Sequence, residues 1–284
     1  MARLAPQSDP AEGHSGRLAR SAYDALAPFY DSFTRDYEYE AWLEALELLA
    51  KEHGLRGREV LDVGCGTGKS FVPLLRRGYR VTACDISAEM VERARKKADG
   101  AARVIVADMR SLPWVERFDL ITCLDDAINY LLSPAELEAA LTSMWAALRP
   151  GGVLIFDANS LSAYRDAFAA TFERHEGRTH FSWQGEATPG VEPGSICAAT
   201  LDVVEGGMRI RTRHVQRHWP VAVLRAAALG VGFENVVLRG QVIGGRLVGD
   251  PDESRHTKVV CLAARSKGHA STDPRQTGAM EVDA

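Results

Sequence analysis

The chain has 284 residues, 46% of them apolar and 25% charged, enough to bury one full core with a small appended element. Lys and Arg total 34 against 38 Asp and Glu, a formal charge of −4 with no basic run, so no nucleic-acid partner is expected. No apolar run reaches the roughly 18 residues that a membrane span needs, and the first residues lack the apolar core of a signal peptide, so no membrane partner is expected either. Cys65, Cys84, Cys123, Cys197 and Cys261 are an odd set without C-x-x-C or Cys/His spacing, which predicts a reducing, cytoplasmic location and no bound metal.

Residues 1–16 and 266–284 are polar, contain Pro and Gly, and lack apolar periodicity, which predicts disordered tails. Residues 17–54 read as a helical N-terminal lid, aromatic-rich from Tyr23 to Tyr39. From residue 55, apolar runs at 59–63, 80–85, 103–108, 118–124 and 153–158 alternate with helical patterns. A glycine-rich turn after the first run leads into a helical segment at 69–77. Ser87 is placed to cap a helix through Lys97, because its hydroxyl can accept from the free amides of the first turn. Ser133-Pro134-Ala135-Glu136 is a capping box with Pro at the first helical position, opening a helix that stops near Leu148.

Runs that stay apolar on both faces suit strands covered on both sides, so the fold class is α/β: a doubly wound, mostly parallel, seven-stranded Rossmann-like sheet over 55–159 and 220–265. Between 160 and 219 the pattern changes to alternating segments at 179–184, 195–205 and 208–219, the last two joined by Gly206-Gly207. This predicts an antiparallel insertion after strand five, on the substrate side. A helix at 222–229 and runs at 235–242 and 258–264 complete the main sheet. Three runs end at or beside an acid, Asp85, Asp108 and Asp157, and ligands bind at the carboxyl ends of strands in such sheets. Those carboxylates are expected to face a ligand.

The turn Asp62-Val63-Gly64-Cys65-Gly66-Thr67-Gly68-Lys69-Ser70 admits three readings. A phosphate-binding loop would match Gly68-Lys69-Ser70 but needs glycine where Val63 stands. A dinucleotide fingerprint needs a small residue where Lys69 stands, to let helix and strand approach. The third reading rests on LDVGCGTG together with Asp85, Ala107-Asp108-Met109 and Leu148-Arg149-Pro150-Gly151-Gly152. That combination resembles the class I S-adenosylmethionine-dependent methyltransferases over about residues 20–265. Tyr23-Asp24-x-x-Ala27-x-x-Tyr30-Asp31 and Cys123-Leu124-Asp125-Asp126-Ala127-Ile128-Asn129-Tyr130 look most like the glycine and sugar-amine N-methyltransferases.

The resemblance implies S-adenosylmethionine as cofactor. Asp85, about 20 residues past the turn, would take two ribose hydroxyls. Asp108 would accept from the adenine amine, with Met109, Ala107 and Ile86 against the ring. Asp62, Gly64 and Gly66 would face the methionine moiety, and Tyr23, Cys65, Thr67, Gly68, Met90 and Leu124 complete the implied cofactor set. Methyl transfer from a sulfonium needs alignment and exclusion of water rather than a metal or a covalent intermediate.

Asp125, Asp126, Asn129 and Tyr130 stand where the family places acceptor contacts. Paired carboxylates suit a cationic amine and argue against a carboxylate-bearing acceptor such as glycine. Tyr30 and Asp126 are the expected catalytic groups, His218 is a candidate general base, and Arg217 is expected in the substrate pocket. The expected function is methylation of a small molecule, at an amine nitrogen first and a hydroxyl as the alternative. A methyltransferase-fold protein that binds the cofactor without transferring its methyl remains open. The expected partner is the acceptor, with a homodimer left open.

Overall fold

The computed structural model describes residues 14–37, 39–188, 190–242 and 244–267. Most of the two expected tails lies outside the described residues. Residues 14–16, assigned above to the first tail, are instead helical: α1 runs His14–Leu26, with Ser15 and Gly16 buried. A short 3-10 turn, Ala27–Phe29, leads to α2 (Tyr30–Phe33) and α3 (Tyr39–Glu52).

The alternating part follows in chain order as β1 (Glu59–Val63), α4 (Val72–Arg76), β2 (Arg80–Asp85), α5 (Ala88–Ala98), β3 (Arg103–Val106), β4 (Phe118–Cys123), α6 (Pro134–Ala147) and β5 (Leu148–Asn159). Both caps read from the sequence are present. Ser87 Oγ accepts from the Met90 amide, and Ser133 and Glu136 close the capping box, each cap a contribution of about 1 kcal/mol. The helix α4 is shorter than expected, because it begins at Val72, just ahead of Pro73. β5 is longer, because Arg149-Pro150-Gly151-Gly152 continues the strand instead of breaking it.

After α7 (Leu161–Asp166) come β6 (Thr171–Glu176), β7 (Thr179–Gly185), β8 (Ile196–Glu205) and β9 (Met208–Arg217), a four-stranded antiparallel sheet in sequence order. Gly206 and Gly207 form the turn between β8 and β9, as their dipeptide predicts. α8 (Val221–Val231), β10 (Phe233–Gln241), β11 (Leu247–Val248) and β12 (Lys258–Arg265) return the chain to the main sheet. That sheet has eight strands rather than seven, in the order β11-β10-β12-β5-β4-β1-β2-β3, the extra one being the two-residue edge strand β11. The pairs among β1 to β5 are parallel, and β12 is antiparallel to β5.

One apolar layer, including Phe118, Met144, Phe156 and Phe233, covers one face under α6 and α8. Another, including Trp42, Leu46, Phe71 and Val91, covers the opposite face under α3, α4 and α5. Truncating a fully buried Phe such as Phe156 to Ala costs about 3–5 kcal/mol in such packing. A third cluster, with Leu26, Tyr164, Phe181, Trp183 and Leu201, binds the small sheet to α1 and α7. This packing sets α1 across the carboxyl ends of the parallel strands. Among the described residues all five cysteines are free and buried, and no helix is long and apolar enough to cross a membrane.

Candidate functional site

At the carboxyl end of β1 the backbone turns through Gly64 and Gly66 with φ of +69° and +52°, a region that strains other residues. A Cβ on Gly64 would lie 3.0 Å from Ala127 Cβ, so the turn also needs the missing side chain for space. The Gly66 amide donates to Asp85 Oδ2 at 2.8 Å and the Ser87 amide to Oδ1 at 2.9 Å. These bonds fix the carboxylate at the end of β2. Burial pushes the Asp85 pKa up to about 6, against the lowering effect of the two amides.

Above the strand ends lies a cavity of about 890 Å³, its open mouth included. Strand order β3-β2-β1-β4 brings the expected residues to it in sequence across the sheet: Ala107, Asp108 and Met109, then Asp85 and Ile86, then Gly64, Cys65, Gly66 and Thr67, then Leu124 and Asp125. Ser15, Gly16, Ala19 and Tyr23 of α1, with Tyr30, Tyr39 and Tyr130, add to the wall, which Lys69, Ser70, Arg110, Ala127 and Leu131 complete. Ser15 and Gly16, expected in a tail, are part of the cavity wall.

Asp108 has a resident partner. Its Oδ1 accepts the Arg110 amide at 2.9 Å, and the Arg110 guanidinium lies 2.5 Å from Oδ2. Arg110 also pairs with Glu136 Oε1 at 2.7 Å and donates to Ser15 Oγ at 3.2 Å, so the β3 end of the cavity is tied to α1 and to the cap of α6.

Several expected residues do not line the cavity. Asp62 is buried beneath it, accepting from Ser70 Oγ at 2.6 Å and Thr122 Oγ1 at 2.7 Å, and burial raises its pKa to about 6. Gly68 serves packing, since a Cβ there would meet the Phe71 ring at 2.6 Å. Met90 is fully buried on α5. Asn129 is a brace, its Nδ2 donating to Arg217 O at 2.8 Å and its Oδ1 accepting the Asn159 amide at 2.9 Å.

Two further expectations are corrected. Arg217 turns away, donating to Leu132 O at 2.9 Å with its guanidinium 4.8 Å from the Trp219 ring centre. His218 is fully buried and has both nitrogens engaged: Nδ1 accepts the Gly194 amide at 3.1 Å and Nε2 faces Glu253 Oε1 at 2.7 Å. It stands past the end of β9 and does not line the cavity.

The paired acids after β4 form part of a charged cluster. Lys258 Nζ lies 2.6 Å from Asp157 Oδ2, 2.9 Å from Asp126 Oδ1 and 3.9 Å from Asp125 Oδ1. Asp157 therefore meets a lysine, not a ligand. Asp126 also accepts from Gln216 Nε2 at 2.6 Å and stands behind the cavity wall, whereas Asp125 lines it and accepts from the Tyr39 hydroxyl. Burial raises the pKa of Asp125 despite Lys258, and raises that of Asp157 to about 6. Burial opposes the charge on Lys258, but Asp126, Asp157 and Asp125 outweigh it and hold its pKa high.

Behind Tyr130 stands His214, its Nδ1 3.0 Å from the Tyr130 hydroxyl; the alternation along residues 213–219 makes it a candidate for the pocket, whereas Lys258 and Gln216 escape the sequence reading. A lone Lys heading the apolar run of β12 and the inward alternation of His214 and Gln216 were the available signals.

Three features suit S-adenosylmethionine. A carboxylate at the end of β2 fits a ribose diol, side-chain-free backbone at Gly64 and Gly66 admits close approach, and Ile86, Met109 and Leu131 offer apolar surface for a base. The family described as "Methyltransferase domain" matches residues 60–152. The dTDP-3-amino-3,6-dideoxy-alpha-D-glucopyranose N,N-dimethyltransferase of Streptomyces fradiae is 32% identical over 198 residues, covering 66% of this chain and 74% of its own. A solved S-adenosylmethionine-dependent methyltransferase from Clostridium acetobutylicum ATCC 824 superposes with a TM-score of 0.70 at 22% identity, over 86% of this chain and 99% of its own. The sugar N-methyltransferase KedS8 from Streptoalloteichus sp ATCC 53650 gives 0.67 at 23% identity, over 93% and 100%. With a curated relative at this identity over most of its length, and a cavity shaped for the same donor, the chain belongs to the S-adenosylmethionine-dependent methyltransferases.

Proposed function

We propose that the protein methylates an amine nitrogen of a small molecule by direct in-line transfer. The observation that carries this reading is the excess of acid at the β4 side of the cavity, where Asp125, Asp126 and Asp157 gather on Lys258 and the ammonium in the wall itself, Lys69, is bound to Thr34. A cationic amine entering beside Asp125 offsets that excess. The Streptomyces fradiae relative and KedS8 are by name N-methyltransferases of sugars, which supports the same class.

In this reading Asp85 accepts from both ribose hydroxyls, using lone pairs left free by its two backbone amides. Ile86, Ala107, Met109 and Leu124 border the adenosine, while Asp108 keeps Arg110 and shares what acceptor capacity remains with the base. Gly64, Cys65, Gly66 and Thr67 lie along the methionine moiety. Asp62 acts on that moiety through Ser70, which does line the cavity. Tyr23 and Tyr30 close the side toward the acceptor, and burial raises the pKa of both, keeping the phenols protonated.

S-adenosylmethionine supplies an electrophilic methyl on a sulfonium. The acceptor nitrogen first gives a proton to Asp125, whose Oδ2 is held by Tyr39 and whose Oδ1, 3.9 Å from Lys258, makes no hydrogen bond to it. The nitrogen lone pair then forms the N–C bond as the C–S bond breaks, leaving S-adenosylhomocysteine. Alignment of two bound reactants can supply about 7–11 kcal/mol of barrier lowering, and a positioned base about 10²- to 10⁴-fold. Asp126 fixes Asp125 indirectly, through Lys258 and the loop they share. Methylation of a hydroxyl calls for a base to take its proton, and the candidate His218 is bonded elsewhere.

The test is S-adenosylhomocysteine formation by the purified protein with amino sugars and other small amines, each beside its hydroxyl counterpart. Turnover with amines and not with the matched alcohols is expected; turnover confined to alcohols overturns the reading.

A further inference from the structure

The Tyr23 hydroxyl donates to the Tyr130 hydroxyl at 2.8 Å, and both side chains line the cavity. Tyr130 in turn meets His214 Nδ1 at 3.0 Å, and His214 Nε2 meets Thr212 Oγ1 at 3.0 Å. The proton positions in this chain follow from its far end. Thr212 Oγ1 lies 3.4 Å from the Leu201 carbonyl, which can only accept, and 3.0 Å from His214 Nε2, which can take either role; the one arrangement that makes every contact in the chain a hydrogen bond puts the Thr212 hydrogen on the carbonyl. Thr212 Oγ1 then accepts from His214 Nε2–H, which leaves Nδ1 bare to accept from Tyr130. The hydrogen of Tyr130 is thereby spent on His214, and that of Tyr23 on Tyr130. Both phenol hydrogens point away from the cavity.

We infer that His214 is a positioning residue for the acceptor: through Tyr130 it turns the Tyr23 hydroxyl so that the phenol oxygen offers the cavity only lone pairs, selecting an acceptor that brings N–H donors. Hydrogen bonds to a charged donor are the strong class, so an ammonium gains most from such an oxygen. His214 is 4% exposed, and burial lowers its pKa to about 4, which keeps Nδ1 free to accept at neutral pH. Its ring also lies edge-on to Tyr23, with centroids 5.5 Å apart, and stacks on Trp183 at 5.8 Å, so the imidazole is held in one orientation. The inference deepens the amine reading and rests on it.

The test uses a probe that carries its own ammonium. Sinefungin replaces the S-methyl group of the donor with a C-linked amine, so the ratio of S-adenosylhomocysteine Kd to sinefungin Kd reads how the cavity treats an ammonium there. Calorimetry on the full chain is expected to show this ratio about tenfold lower in His214→Phe, the size of one hydrogen bond to a charged group, with S-adenosylhomocysteine affinity unchanged. Thr212→Val, which leaves Nε2–H without its acceptor and favours the opposite tautomer, is expected to lower the ratio in the same direction from outside the cavity. If His214→Phe does not fold, Thr212→Val decides. Tyr23→Phe should lower it as well, and His214→Phe should add nothing in the Tyr23→Phe background. A ratio unchanged in folded His214→Phe or Thr212→Val, or effects that add in the double variant, overturns the inference. Because the probe supplies the amine, this result is independent of whether the natural product is methylated on nitrogen or oxygen.

Discussion

Lys258 Nζ sits 2.6 Å from Asp157 Oδ2, where β12 runs antiparallel to β5 and the chain ends of the two strands meet beneath the cavity. The same ammonium reaches Asp126 at 2.9 Å, so a residue near the end of the described chain fixes the loop that carries Asp125. Removing one partner of a buried charged cluster leaves the others uncompensated and typically costs about 3–5 kcal/mol. Lys258→Met is expected to lose stability of that order in urea denaturation at pH 7, and less at pH 5, where Asp157 takes up a proton. A loss below about 1 kcal/mol at pH 7 would show that the cluster does not hold the loop.

Asp85→Asn separates binding from folding. The carboxylate is assigned to two ribose hydroxyls, and hydrogen bonds to a charged group contribute about 1.5–3 kcal/mol, so S-adenosylhomocysteine affinity should drop at least about tenfold by calorimetry. The thermal midpoint without ligand should change by only a few degrees at pH 7, because the variant removes a buried charge but leaves one of the two backbone amides without an acceptor. Equal affinity in variant and parent would remove Asp85 from the site.

The raised acid pKa values set two opposite pH trends. A carboxyl group whose folded pKa is about 6, above its value of 3.8 in free solution, binds its proton more tightly folded than unfolded. Its contribution to stability is therefore present below about pH 4 and is lost as pH rises through 6. Asp62 and Asp85 both act this way, so their part of the ligand-free stability falls between pH 4 and 6. Cofactor binding runs the other way, since only ionised Asp85 can accept from both hydroxyls. S-adenosylhomocysteine affinity is expected to be about tenfold weaker at pH 5 than at pH 7, and flat in Asp85→Asn. A flat profile in the parent protein would contradict the assignment.

His218→Phe should behave as a structural variant. It strands the Gly194 amide and Glu253, a loss of about 1–3 kcal/mol, while kcat and KM for an identified acceptor stay within about twofold. A kcat drop of about a hundredfold with full stability would return His218 to the reaction.

Local chemistry was readable and convergence was not. The capping box at Ser133, the cap at Ser87, the Gly206-Gly207 turn and the placing of Asp85 after a glycine turn are each decided within a few residues, and all stand in the structure. Ser15 and Gly16 have weak helix propensity, and their helix is held by the cavity wall and by Arg110 and Glu136, far along the chain. β6 is a polar edge strand without apolar alternation, so nothing in 171–176 announces it. Lys258, Gln216 and His214 reach Asp126 and Tyr130 only because strand order folds β12 and β9 back over the loop after β4. No spacing within the sequence encodes those meetings.

The most direct test of the account is to find which atom of the product carries the methyl group. Turnover with S-adenosylmethionine bearing a trideuterated methyl, followed by fragmentation mass spectrometry of the product, should place the label on a nitrogen of a small amine, with kcat lowered at least about a hundredfold in Asp125→Asn. Label on an oxygen, or amine turnover indifferent to Asp125→Asn, would contradict it.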